Sequence, residues 1–364
     1  MRRIAVIGGG LAGLTVALRH ARAGDRVSVF EAERRLGGQL FTERSAGFAV
    51  EHGAEGYVAG SAAVAKLASE LGIADRVVDQ LVFTSYGFDG KDLVPLAAGE
   101  AAQFLGFQVP SRELGKGIRS LAGGMGELVE TLAAQVRETV DLRLASRVER
   151  VECRDTGTRL VLGSHMEGVD AVVVATTARV AAALLQDEFG ASARALAGAA
   201  VNSSVTVSCA YRRSDVAHPL DGTGFVVAEH AQEDGLRACS FSSSKLPARA
   251  PHDAVLLRLF FRPADREVET LDDGAWIGRA ERGLSRILGL RTRAERAWVS
   301  RWPDALPVFD AGHRERVAEL ESVLAKTGIC LAGSAFHGAG IDAAVRSAFA
   351  AAESIGPPET GAGV

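Results

Sequence analysis

Gly8, Gly10 and Gly13, followed by Glu31 eighteen residues later, are the first residues whose types and spacing define a chemistry. Glycine at position 8 permits a tight turn. At position 10 it lets the backbone approach a pyrophosphate, and at position 13 it lets a helix pack closely on a strand. A helix beginning beside Leu11 and Ala12 would aim free N–H groups and its positive dipole end at the phosphates. Glu31 can accept hydrogen bonds from both ribose hydroxyls, and it would repel a 2′-phosphate. The set reads as a binding site for a dinucleotide.

Those residues need a particular frame, and the flanking sequence supplies it. A short apolar strand is expected over 4–7, a helix with its apolar residues at helical spacing over 11–23 and a second strand over 27–30. Gly24 is a natural stop for that helix. Another alternating strand is read over 147–151, and buried strands over 171–175 and 329–333. A helix follows over 341–355. Residues 201–211, 224–229, 236–241 and 255–261 are half-alternating strands separated by turn residues, with an amphipathic helix over 276–288 to cover one face. The fold class is therefore α/β: a Rossmann-type domain with a second domain built on a mostly antiparallel sheet. The expected division is 1–60 nucleotide domain, 61–125 a reduced helical part, 126–185 nucleotide domain again, 186–312 substrate domain, 313–356 the last nucleotide part and 357–364 a mobile tail.

Composition excludes several classes. A length of 364 residues exceeds one typical domain, and 47% hydrophobic with 24% charged residues suits a globular protein with a large core. The formal net charge of -4 gives nucleic acid no electrostatic attraction. No apolar run approaches the ~18 residues of a membrane span. Cys153, Cys209, Cys239 and Cys330 are scattered, without metal-ligand spacing, and read as free thiols of a cytoplasmic protein.

The stretch 31–42 contains Arg35-x-Gly37-Gly38 followed by Thr42. It resembles the second fingerprint of the flavoprotein family that includes amine oxidases, phytoene desaturases and protoporphyrinogen oxidases. The resemblance implies FAD, with Arg35, Gly37 and Gly38 along the diphosphate and ribityl chain and Ala32 and Gln39 beside them. It also implies that Val148 offers its backbone to the adenine and that the turn at Ala175 and Thr176 borders the site. The glycine-rich loop from Gly333 and Ser334 to Gly340 and Ile341 would face the N1–C2 edge of the flavin. No cysteine lies in that loop, so the FAD is expected to be non-covalent.

Four other segments resemble protoporphyrinogen oxidases in particular: 47–56, 120–125, 239–260 and 301–313. They imply a porphyrinogen, protoporphyrinogen IX or coproporphyrinogen III, oxidised by repeated hydride transfer to flavin N5, with O2 as electron acceptor. Tyr57, Phe309 and His337 are the substrate-side candidates. The chain departs from typical members in the middle, where 61–119 replaces a helical subdomain of well over a hundred residues. Val58 stands where some members have arginine, Val308 where glutamine is frequent, and His337 where arginine is frequent. Two other readings remain open: a relative acting on an amine or secondary metabolite, and a flavin-free binding protein of the Rab GDP-dissociation inhibitor kind.

Overall fold

The structure, a computed structural model, describes residues 1–97, 99–104, 116–154, 157–264 and 266–355. Most of the glycine-broken stretch over 104–116 and the tail over 357–364 lie outside the described residues.

Five parallel strands form the first sheet, in the order Val140–Arg143, Arg26–Phe30, Arg3–Ile7, Ala171–Val174, Ile329–Leu331. Parallel sheets are covered on both faces, which is why these strands read as continuous apolar runs. Ile4, Val6, Val27, Val29 and Val173 point into one core with helices Leu11–Arg22, Gly126–Val136 and Gly340–Ser354. Ala5, Ile7, Phe30, Val172 and Val174 point into the other, with helices Ala178–Ala197 and Ala311–Leu324. The expected elements of this domain recur within two residues of their expected bounds, with one exception. The strand read over 147–151 begins at Arg150 (Arg150–Arg154), so Val148 precedes it in irregular chain.

The second sheet has seven strands: Arg296–Pro307, Val201–Arg212, Ala254–Phe261, Leu236–Ser240, Gly224–Val227, Ser85–Phe88 and Leu93–Leu96. Its pairings are antiparallel except that between Gly224–Val227 and Ser85–Phe88. Val207, Cys209, Leu257 and Leu259 pack on helix Asp273–Leu288 through Trp276, Ala280 and Leu284. The opposite face carries Thr206, Arg258 and Ser240, and it meets the hairpin Thr42–Ser45/Phe48–Glu51 and the chain just beyond it. The segment 61–125, expected to be mainly helical, holds the helix Ala62–Glu70 but also supplies two strands to this sheet. Its strands Val77–Asp79 and Ile118–Leu121 make a further small sheet with Tyr57–Val58.

Candidate functional site

The glycine loop joins the C-terminal end of Arg3–Ile7 to the helix Leu11–Arg22. Gly8 has φ +109°, and a Cβ there would lie 2.4 Å from Ala175 O; its N–H donates to Phe30 O at 2.8 Å. A Cβ on Gly13 would lie 2.0 Å from Gly8 O, so helix and strand touch through backbone alone. Around Gly10 the space is open: the nearest heavy atom to a Cβ there is Gly38 Cα, 3.9 Å away. No side chain caps this helix, which leaves its first N–H groups to a ligand.

Two separated sequence motifs meet here. Gly10 and Gly37 form an isolated parallel bridge, and Gly37 N–H donates to Gly9 O at 2.8 Å. Arg35 donates to Leu36 O (3.3 Å) and Gly38 O (2.8 Å), and its guanidinium lies 4.9 Å from the Phe41 ring centroid. Its recorded partners are thus neutral, which suits a cation kept for a diphosphate. The Gln39 amide donates to Ala305 O across the domain boundary. Glu31 accepts from Gly9 N–H (2.7 Å) and Glu33 N–H (2.8 Å), so its carboxylate shapes the loop as well as offering the remaining lone pairs to a ribose. Ala32 follows it at the same turn. Glu31→Ala is expected to weaken FAD binding by about 1–3 kcal/mol; titration of the apoprotein measures it, and an unchanged affinity removes Glu31 from the site.

The other expected residues close around the loop. Ala175 N–H donates to Ile7 O at 2.8 Å, which places Ala175 and Thr176 beside Gly8. Gly333 (φ +118°) donates to the Ser347 hydroxyl at 3.0 Å, and a Cβ on it would meet Ala12 Cβ at 3.7 Å, which puts the C-terminal loop against the first helix. Ser334 is half-buried, and Gly340 (φ +90°) opens the last helix with Ile341 buried behind it; no side chain caps that helix either. Val148 is buried, and no main-chain hydrogen bond of its own is found among the described residues. The residues present fit a flavin dinucleotide.

Sequence reasoning missed the polar group beneath these loops. Glu51 is 4% exposed; it accepts from Thr42 Oγ1 (2.7 Å) and Met125 N–H (2.7 Å) and lies 3.7 Å from Arg249. The Met125 N–H belongs to the turn that starts helix Gly126–Val136, so the double glycine of 120–125 clears the way for a carboxylate at a helix N-terminus. Burial pushes the Glu51 carboxyl up, against the pull of these donors and of Arg249 and Arg258. Glu55 accepts from Ser240 (2.9 Å), Ser242 (2.5 Å) and Lys245 (3.2 Å). Burial alone would raise its pKa, but the Lys245 and Arg258 charges together with the Ser242 and Ser240 hydrogen bonds outweigh that and bring it to about 2. Arg249 is 1% exposed and donates to Ser120 Oγ, Leu121 O and Ala122 O. These residues tie 51–56 to both domains, and a Cβ on Gly53 would lie 1.7 Å from Gln39 O.

Each of the three substrate-side candidates has partners of its own. Tyr57 is 5% exposed and packs in the nucleotide-domain core. Phe309 stands edge-on to His313 of its own following helix, ring centroids 4.9 Å apart. His337 bonds Glu321 at 2.9 Å, which raises its pKa. It lines a cleft of about 520 Å3 along the edge strand Ile329–Leu331 that Arg2 and Asp170 also line, and none of residues 8–13 is among its lining.

Comparison with known proteins gives the class. The profile of flavin containing amine oxidoreductases matches residues 82–356, and that of the NAD(P)-binding Rossmann-like domain matches 6–71. The chain belongs to the flavin-containing amine oxidoreductase family and is a flavin-dependent oxidoreductase. A coproporphyrinogen III oxidase of Propionibacterium freudenreichii is 25% identical, with 97% of this chain and 90% of that protein covered. The alignment runs over 484 positions, more than the chain's own 364 residues, so that relative has segments this chain lacks. A coproporphyrinogen III oxidase of Staphylococcus aureus is 20% identical, over 97% and 99% of the two chains. Among solved structures, a putative protoporphyrinogen oxidase from Exiguobacterium shares the fold with TM-score 0.83 at 24% identity, covering 97% of this chain and 98% of that one. Among the described residues no helix is long and apolar enough to cross a membrane.

Proposed function

We propose that the chain binds FAD non-covalently and oxidises a porphyrinogen, coproporphyrinogen III or protoporphyrinogen IX, with O2 as electron acceptor. The observation that carries this reading is the near full-length match to proteins named coproporphyrinogen III oxidase. The bound flavin supplies the hydride acceptor. The protein's own residues bind and orient: the N-terminus of helix Leu11–Arg22 and Arg35 hold the diphosphate, Glu31 the ribose, Val148 the adenine, and the loop 333–340 the ring edge. A porphyrinogen's bridge carbon is activated by its flanking pyrroles, and its nitrogens can lose protons to water. Positioning then does most of the work, and no strong protein base is required.

The test is direct. The protein is expected to purify yellow without detergent, to release free FAD on heating and to turn coproporphyrinogen III or protoporphyrinogen IX into a fluorescent porphyrin. With 61–119 so short, a raised KM is the expected signature of missing cap contacts. A flavoprotein that dithionite reduces but neither porphyrinogen does would overturn the substrate and leave the cofactor standing.

A further inference from the structure

The second sheet is apolar on its helix-covered face, yet toward residues 48–56 it presents Thr206, Ser240 and Arg258. Arg258 is 3% exposed. Its Nη2 reaches His52 O at 3.2 Å and the Thr206 hydroxyl at 3.4 Å, and among the described residues its buried Nε has no partner. Its charge is not matched either. Glu51 and Glu55 are the carboxylates that act on it, and both are shared, with Arg249 at 3.7 Å and Lys245 at 3.2 Å. Among the described residues three cations, Lys245, Arg249 and Arg258, face the two carboxylates. The other charges near the group are engaged outward: Glu127 holds Arg76 at 2.8 Å and Arg44 holds Glu130 at 2.8 Å. Burying an unmatched charge with an unmatched donor is unfavourable until an anion reaches it. The His52 carbonyl it leans on adjoins Gly53, which lies against Gln39 of the second nucleotide fingerprint.

We propose that Arg258 is an anion-binding residue of the domain interface, receiving an anionic oxygen from the ligands of the flavin site. Two sources share that chemistry. One is the C2 carbonyl edge of the flavin once hydride uptake at N5 has added two electrons and one proton, leaving a single negative charge on the ring. The other is a carboxylate of the substrate. The inference rests on the flavin reading above, and the flavin arm of its test needs no porphyrinogen.

The midpoint potential of the bound FAD, measured by dye-coupled reduction in the holoprotein, decides the first source. Arg258→Met is expected to weaken the preference for reduced over oxidised flavin at least tenfold, a fall of about 30 mV for a two-electron couple. Arg258→Lys should keep most of the potential, and Glu55→Gln, which removes a buried negative charge, should raise it. A merely structural role predicts no such opposition of sign. If the potentials hold but Arg258→Met weakens binding of coproporphyrin III at least tenfold while its tetramethyl ester binds as before, the anion is the substrate's carboxylate. Should Arg258→Met fail to fold, Glu55→Gln carries both arms, raising the potential or tightening the porphyrin. Folded, FAD-loaded variants with unchanged potential and unchanged porphyrin affinity overturn the proposal. A wild-type protein that takes up no flavin defeats the cofactor reading instead, and the porphyrin arm then decides.

Discussion

Gly13→Ala is expected to abolish FAD binding and to destabilise the fold, whereas Gly10→Ala should abolish binding and leave the fold intact. The contrast follows from what each new methyl group would meet. At position 13 a Cβ falls 2.0 Å from Gly8 O and 3.1 Å from a Val6 methyl. Gly8 cannot yield, because its N–H is held by Phe30 O and its own flank lies against Ala175 O. Helix Leu11–Arg22 must therefore lift from the sheet, at about 1–3 kcal/mol for an overpacked core, and its N-terminus leaves the pyrophosphate. At position 10 the nearest heavy atom is 3.9 Å away, so the methyl group enters open space, where the proposed site would hold the phosphates. An affinity loss above about 100-fold corresponds to about 2.7 kcal/mol. Thermal unfolding of the apoproteins together with flavin titration measures both effects. Equal stability losses in the two variants, or a Gly10→Ala protein that retains its flavin, would contradict the assignment.

What the sequence revealed and what it hid divide along contact range. The dinucleotide motif was legible because its parts are local: Gly8, Gly10 and Gly13 lie within one turn and its helix, and Glu31 ends the adjacent strand. The Arg35-x-Gly37-Gly38 motif was legible by resemblance, though its bridge to Gly10 is a tertiary fact. The polar group around Glu51 and Glu55 was not legible. Lys245, Arg249 and Arg258 have the composition of surface residues, and only the pairing of Ser240 with Arg258 across neighbouring strands brings them to the carboxylates. Two acids four apart inside the run Phe48 to Tyr57 were the one available signal. The strands Ser85–Phe88 and Leu93–Leu96 were missed for another reason. Gly87 and Pro95 interrupt their pattern, and the parallel partner Gly224–Val227 lies far away in the chain. The bond of His337 to Glu321 was not legible either, because the two lie sixteen residues apart on different elements.

Arg249→Met should be among the most destabilising single substitutions in this protein, lowering the unfolding free energy by about 3–5 kcal/mol. Methionine preserves much of the volume, so the effect isolates charge and hydrogen bonding from cavity formation. Ser120 Oγ and Ala122 O each lose the Arg249 donor, and Leu121 O is left with Gly124 N–H. Glu51 loses the cation nearest to it in a site where burial already raises its pKa, so the variant's Glu51 should take up a proton more readily still. Folding that protonates Glu51 is favoured as pH falls, because a raised folded-state pKa adds stability below that pKa and loses it above. The deficit of Arg249→Met should therefore be largest at neutral pH and shrink as pH falls. Adding Glu51→Gln to Arg249→Met should recover part of it, since the unpaired buried charge is then gone while the amide oxygen can still accept from Met125 N–H and the amide NH2 can donate to Thr42 Oγ1. Urea unfolding of the holoprotein at two pH values, with flavin release as a second probe, measures these differences. A loss below about 1 kcal/mol, the scale of an exposed pair, would show that water reaches Arg249 and that the interface it closes is not dry.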